Sequence, residues 1–90
     1  MNIVTLLLVN GDEIVGRSGS ETDETITIEK PVRIALNQKG VGFAPICISI
    51  DDASSFTFKK QHILLVAPTR KEISEPYIEA TTGIQLATSL

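Results

Sequence analysis

The chain has no tryptophan, one tyrosine, three phenylalanines, one cysteine, one histidine and one methionine in 90 residues. So few aromatics leave little for stacking on successive bases or sugars. One cysteine excludes an internal disulfide framework and fits a reducing compartment. With a single histidine and a single cysteine there is no zinc-type ligand spacing, and no cofactor or metal is expected. His62 has no partner set for acid–base chemistry, and Cys47 lies between Ile46 and Ile48, where a buried or half-buried thiol in a strand is expected. An enzyme is therefore not expected. Gly40-Val41-Gly42 is too short for a phosphate loop and has no following Gly-Lys-Ser/Thr.

Long apolar runs are also missing. The opening stretch Met1–Val9 is apolar but too short to span a bilayer, and it lacks the basic lead and cleavage site of a signal peptide. It reads as the first strand of a cytoplasmic protein with no membrane partner. Acid is absent from one stretch. Residues 59–71 hold Lys59, Lys60, Arg70 and Lys71, four of the eight basic groups, while the rest of the chain carries all eleven acidic ones. The net charge is −3, yet this asymmetry can build a local anion site. The acidic cluster Glu21, Asp23 and Glu24 has no calcium-loop spacing and reads as a solvated loop, as does Asp51-Asp52.

What is present is extended structure. Ile3–Val9 is a continuous apolar run, and Asn10-Gly11 after it is a hairpin signal. Glu13–Ser18 returns, with Gly16 marking a bulge, a bend or close backbone packing. From 26 to 36, five of six even positions are apolar (Ile26, Ile28, Val32, Ile34, Leu36), so a long half-buried strand is predicted, kinked or at an edge near Pro31. Phe43–Ile50 resumes after a turn at Asn37–Gly42. Asp51–Ser55 interrupts, Phe56-Thr57-Phe58 is a short extended remnant, and His62–Ala67 is the last strand, stopped by Pro68.

The fold class is thus all-β: a small five-stranded antiparallel barrel. Residues 1–68 form the barrel domain and 69–90 a polar C-terminal tail. Ser74-Glu75-Pro76 can cap one or two helical turns there, before Gly83.

Two spacings carry a family resemblance. Val9-Asn10-Gly11 is followed by Gly16 and, after a polar loop, by Thr22-Asp23-Glu24-Thr25-Ile26-Thr27-Ile28. Late in the chain, Phe58 leads into Lys59-Lys60-Gln61, the strand Ile63–Ala67 and Pro68-Thr69-Arg70. Over roughly residues 3–70 this resembles the two motifs of the Sm-like proteins, the bacterial Hfq-type in particular, as an atypical bacterial or phage-like member. The chain departs from the pattern in lacking an initial helix and in having Thr22 where Asp is common. Ile26 stands where eukaryotic members have a base-contacting Asn, and Gln61 where Hfq-type members have His.

The resemblance implies a strongly bent, SH3-like barrel. It also implies a homo-oligomeric ring of about five to seven copies and single-stranded RNA bound around the pore. The implied RNA contacts are Lys60 first, then Gln61, His62 and Lys59, with Thr25 and Glu24 as the facing wall. The fourth strand of one subunit would pair with the fifth of the next, giving Ile63, Leu64, Leu65, Val66, Ile46 and Ile48 as interface residues. The competing reading is a small β-barrel assembly or protein-binding module with no nucleic-acid role.

Overall fold

A computed structural model describes residues 2–47, 49 and 55–82. It is a mostly β structure. The strands are β1 (Ile3–Leu8), β2 (Glu13–Glu21), β3 (Thr25–Asn37), β4 (Gly40–Ala44), β5 (Ser55–Lys59) and β6 (Ile63–Pro68), followed by helix α1 (Lys71–Thr82). A single 3-10 turn, Lys60–His62, joins β5 to β6. All pairings are antiparallel. The sheet runs β4-β3-β2-β1-β6, and β5 pairs with β3 beside β4. It stays open, with no closed barrel.

Several expectations change. The described residues form six strands, not five. The expected Phe43–Ile50 strand forms earlier, as β4 at Gly40–Ala44, because Asn37-Gln38-Lys39-Gly40 closes a tight hairpin in which Leu36 faces Val41. Asn37 Oδ1 accepts from the Lys39 amide at 2.8 Å, and Gly40 takes a φ of +120° that other residues rarely adopt. Ile46 and Cys47 therefore lie beyond the strand. Cys47 is exposed, against the expectation of a buried or half-buried strand thiol. The remnant Phe56–Phe58 is the centre of β5, which pairs with β3 from Thr25 to Glu29.

The first turn is longer than the Asn-Gly pair suggested. Val9–Asp12 form the loop, with Gly11 at φ +94° and the Asp12 amide donating to Asn10 Oδ1 at 3.0 Å.

The core lies on one face of the sheet. Leu6, Ile14, Ile26 and Ile28 are buried, and Val4, Leu8, Ile46, Phe58 and Ile63 pack against them. Period-two alternation sends Val15, next to Ile14, to the opposite face, where it is also buried.

The long strands bend at Gly16. Between Val15 and Arg17, β2 advances two residues while β3 advances three, from Val32 back to Glu29, so Lys30 and Pro31 form a bulge opposite the glycine. A Cβ on Gly16 would come to 2.2 Å from Ile28 Cγ2 and 3.2 Å from Pro31 Cα, which is why no side chain fits there. Lys30 takes a φ of +49°. The bulge also shifts the register of β3. Ile26 and Ile28 are buried, but Leu36 on the same even series is 80% exposed.

The tail folds back on this bend. Its helix is twelve residues long and starts at Lys71, with the Ile73 and Ser74 amides bonding to the Arg70 carbonyl, so Pro76 lies inside the helix rather than at its start. Tyr77 is fully buried. Its hydroxyl donates to the Lys30 carbonyl at 2.7 Å, with the Glu29 carbonyl at 3.2 Å, so the bulged Lys30, which has no register partner, gains a donor for its carbonyl. Phe43 meets the tyrosine ring edge-on at 6.2 Å. Lys30 Nζ donates to the Thr81 carbonyl at 3.0 Å, a positive group at the helix C-terminus. Burial pushes the Tyr77 phenol above its ordinary value of 10.0, against the opposing pull of Arg17.

Candidate nucleic-acid interface

The turn Lys60–His62 projects from the end of β5, and β3 begins directly beside it. Lys59 is the register partner of Thr25. The Lys60 amide donates to the Glu24 carbonyl at 2.8 Å, which fixes the turn against the loop entering β3. That loop is ordered by its threonines: Thr22 Oγ1 lies 2.7 Å from Thr25 Oγ1 and accepts from the Thr25 amide at 3.0 Å.

An open cleft of about 420 Å³ results, lined by Asp23, Glu24, Thr25, Lys59, Lys60 and Gln61. Five of the six residues implied as RNA contacts are therefore brought together from two separate parts of the chain. The sixth, His62, is exposed and lies outside this lining. Its carbonyl accepts from the Val9 amide at 2.9 Å, tying the turn to the end of β1, and its ring nitrogen Nε2 lies 3.5 Å from Gln61 Nε2.

Lys60 is not free. Its Nζ donates to Glu21 Oε2 at 2.7 Å, with the two side chains 36% and 58% exposed. At that exposure the pair contributes about 0–1 kcal/mol, so an incoming anion can displace it. Asp23 and Glu24 make no ion pair among the described residues. The acidic cluster, expected to be a solvated loop, thus supplies one wall of the cleft and the partner of its central lysine. Nothing in the local sequence signals the Glu21–Lys60 pair, which joins residues 39 apart.

The implied interface residues divide. Ile63 is half-buried and packs against the core. Leu64, Leu65 and Val66 are exposed by 64%, 49% and 48%, and among the described residues β6 is paired only with β1. Ile46 lies past the end of β4 and packs against the core, so it is not a strand-edge residue; Ile48 lies outside the described residues. On the far side of the sheet β3 carries two strands, β4 and β5, and β5 is the one that leads into the Lys59–Gln61 segment. Its outer edge has no partner among the described residues.

No group of three His, Cys, Asp or Glu side chains that could hold a metal occurs among the described residues, and no helix there is long and apolar enough to cross a membrane. Neither a family model nor a curated protein sequence matches the chain.

Proposed function

We propose that the chain binds single-stranded RNA as one subunit of a homo-oligomeric, Sm-like ring. The observation that carries this reading is that β6 at one end of the sheet and β5, which lies with β4 on the far side of β3, each keep an outer edge with no partner among the described residues, with the lysine turn joining the two strands. An exposed apolar edge such as Leu64-Leu65-Val66 is an aggregation hazard unless another strand covers it. Pairing β6 of one copy with β5 of the next continues the sheet, and one repeated head-to-tail contact closes into a ring. Each copy then contributes one Lys59-Lys60-Gln61 turn to a common rim, and a ring of lysines attracts phosphates although the monomer is acidic.

The test is fluorescence anisotropy of single-stranded RNA with the assembled protein at two salt concentrations, alongside light-scattering mass. Binding should weaken as salt rises, because phosphate contacts release counterions. Lys60→Ala should weaken it by about tenfold at low salt, the loss of one charge-assisted contact per site. A monomer at high concentration overturns the ring. An assembly that leaves RNA unbound at low salt overturns the RNA role and favours a protein-binding or purely structural assembly, a reading to which the Glu21–Lys60 pair already lends weight.

A further inference from the structure

The charge balance of the cleft is unlike that of a phosphate channel. Lys59 and Lys60 stand on one side and Asp23 and Glu24 on the other, and Lys60 is shared with Glu21 besides. The carboxylates reduce, within each cleft, the lysines' attraction for a phosphodiester backbone. A ligand held only through phosphate gains less there than on a purely basic rim. A ligand that also donates hydrogen bonds to the acidic wall gains from both sides.

Ionised carboxylates accept and never donate. That property separates the four RNA bases. Uracil offers one imino N–H flanked by two carbonyl oxygens, which a carboxylate repels. Adenine and cytosine each offer an amino group beside a ring nitrogen that is itself an acceptor. Guanine alone places two donors side by side, N1–H and the N2 amino group, at the spacing of two carboxylate oxygens. The fit is of the same kind as the two-pronged pairing of arginine with a carboxylate. Its next atom along that edge, O6, is an acceptor. The opposite wall, with the Gln61 amide and the lysine ammonium groups, supplies donors for it.

We infer that the cleft selects guanine among single-stranded RNA bases, and that Glu24 is the residue that reads it. Glu24 is chosen over Asp23 because its carbonyl accepts from the Lys60 amide at 2.8 Å, which holds its backbone against the lysine turn. The inference rests on the RNA-binding reading above and deepens it. A cleft of balanced charge that demands a donor pair from the base also discriminates better than a basic one, because sequence-independent binding is kept weak.

The experiment uses the full chain and three labelled RNAs of equal length: oligouridine, the same strand carrying isolated guanosines, and that strand with inosine at each guanosine. Isolated guanosines avoid four-stranded assemblies, and inosine lacks the N2 amino group. The guanosine strand should bind about tenfold more tightly than oligouridine, and inosine should lose most of that gain. Glu24→Gln should bring the guanosine and uridine strands to near parity, because an amide no longer presents two acceptors. Equal affinity for all three RNAs overturns guanine selection while leaving RNA binding intact. Loss of the preference in Asp23→Asn but not in Glu24→Gln overturns the assignment to Glu24. Failure of all three strands to bind at low salt overturns the RNA-binding reading itself.

Discussion

The bend and the β6 edge are both places where the regular pairing of the sheet stops, and they end in opposite states. At the bend, Gly16 and the Lys30-Pro31 bulge expose polar backbone, and α1 returns to cover it: Tyr77 donates to the Lys30 carbonyl and Lys30 caps the helix. At the β6 edge, Leu64, Leu65 and Val66 stay exposed, and one side of the strand has no partner among the described residues. The bend is covered by a helix of the same chain, with only the Arg17 Nε left unpartnered among its buried side-chain polar atoms, while the apolar edge is left open. Such a division fits a molecule whose stability is set at the bend and whose associations are set at the edge.

Substitutions at three positions test that division, taken in order of their largest expected effect on monomer stability. Tyr77→Ala should cost about 4 kcal/mol, since it empties a fully buried aromatic site and strips the Lys30 carbonyl of its donor; urea denaturation measures it. The same site sets an alkaline limit. Because burial raises the folded-state pKa, the unfolded chain loses the phenolic proton first. This contribution to stability is full below about pH 10 and lost as pH rises through the folded value. Tyr77→Phe should flatten that alkaline decline, and an unchanged decline would mean that the phenol is not its source.

Gly16→Ala comes next, at about 2–3 kcal/mol, because the new methyl group overlaps Ile28 Cγ2. A loss well under about 1 kcal/mol would mean that the strands can open at the bend without harm. Leu64→Lys should have the smallest effect, within about 0.5 kcal/mol for the dilute monomer, while light scattering shows assembly abolished. A large stability loss from Leu64→Lys, or unimpaired assembly, would erase the contrast between the two regions.

Much of the sheet was legible from period-two patterning. The alternation from Ile26 to Leu36 marks β3, Gly16 and Pro31 mark its bend, and Pro68 closes β6. The tail was less legible. Tyr77 sits in a stretch rich in Thr, Ser and Glu, and a lone aromatic among polar residues does not announce that it is the largest fully buried side chain among the described residues. Its burial depends on a docking site that exists only once β3 has bulged. The β4 boundary was missed because the apolar series Ala44, Ile46, Ile48 and Ile50 favours a later strand than the one fixed by the turn at Lys39-Gly40. At the cleft, the lysine turn and Thr25 were singled out in the sequence only as what the family resemblance implies, and the β3–β5 pairing brings them together. The structural role of Glu21 was not, because its partner Lys60 is distant in sequence and close only through the β3–β5 pairing.

Lys30 gives the bend a kinetic meaning as well. One residue holds the left-handed turn in β3 with its backbone and the last turn of α1 with its side chain, while its carbonyl accepts a hydrogen bond from the Tyr77 hydroxyl. Releasing the helix would uncover the bulge, and opening the bulge would release the helix. The amides of α1, although terminal and on the surface, should therefore exchange with solvent in the same cooperative opening as those of central β3, instead of fraying independently.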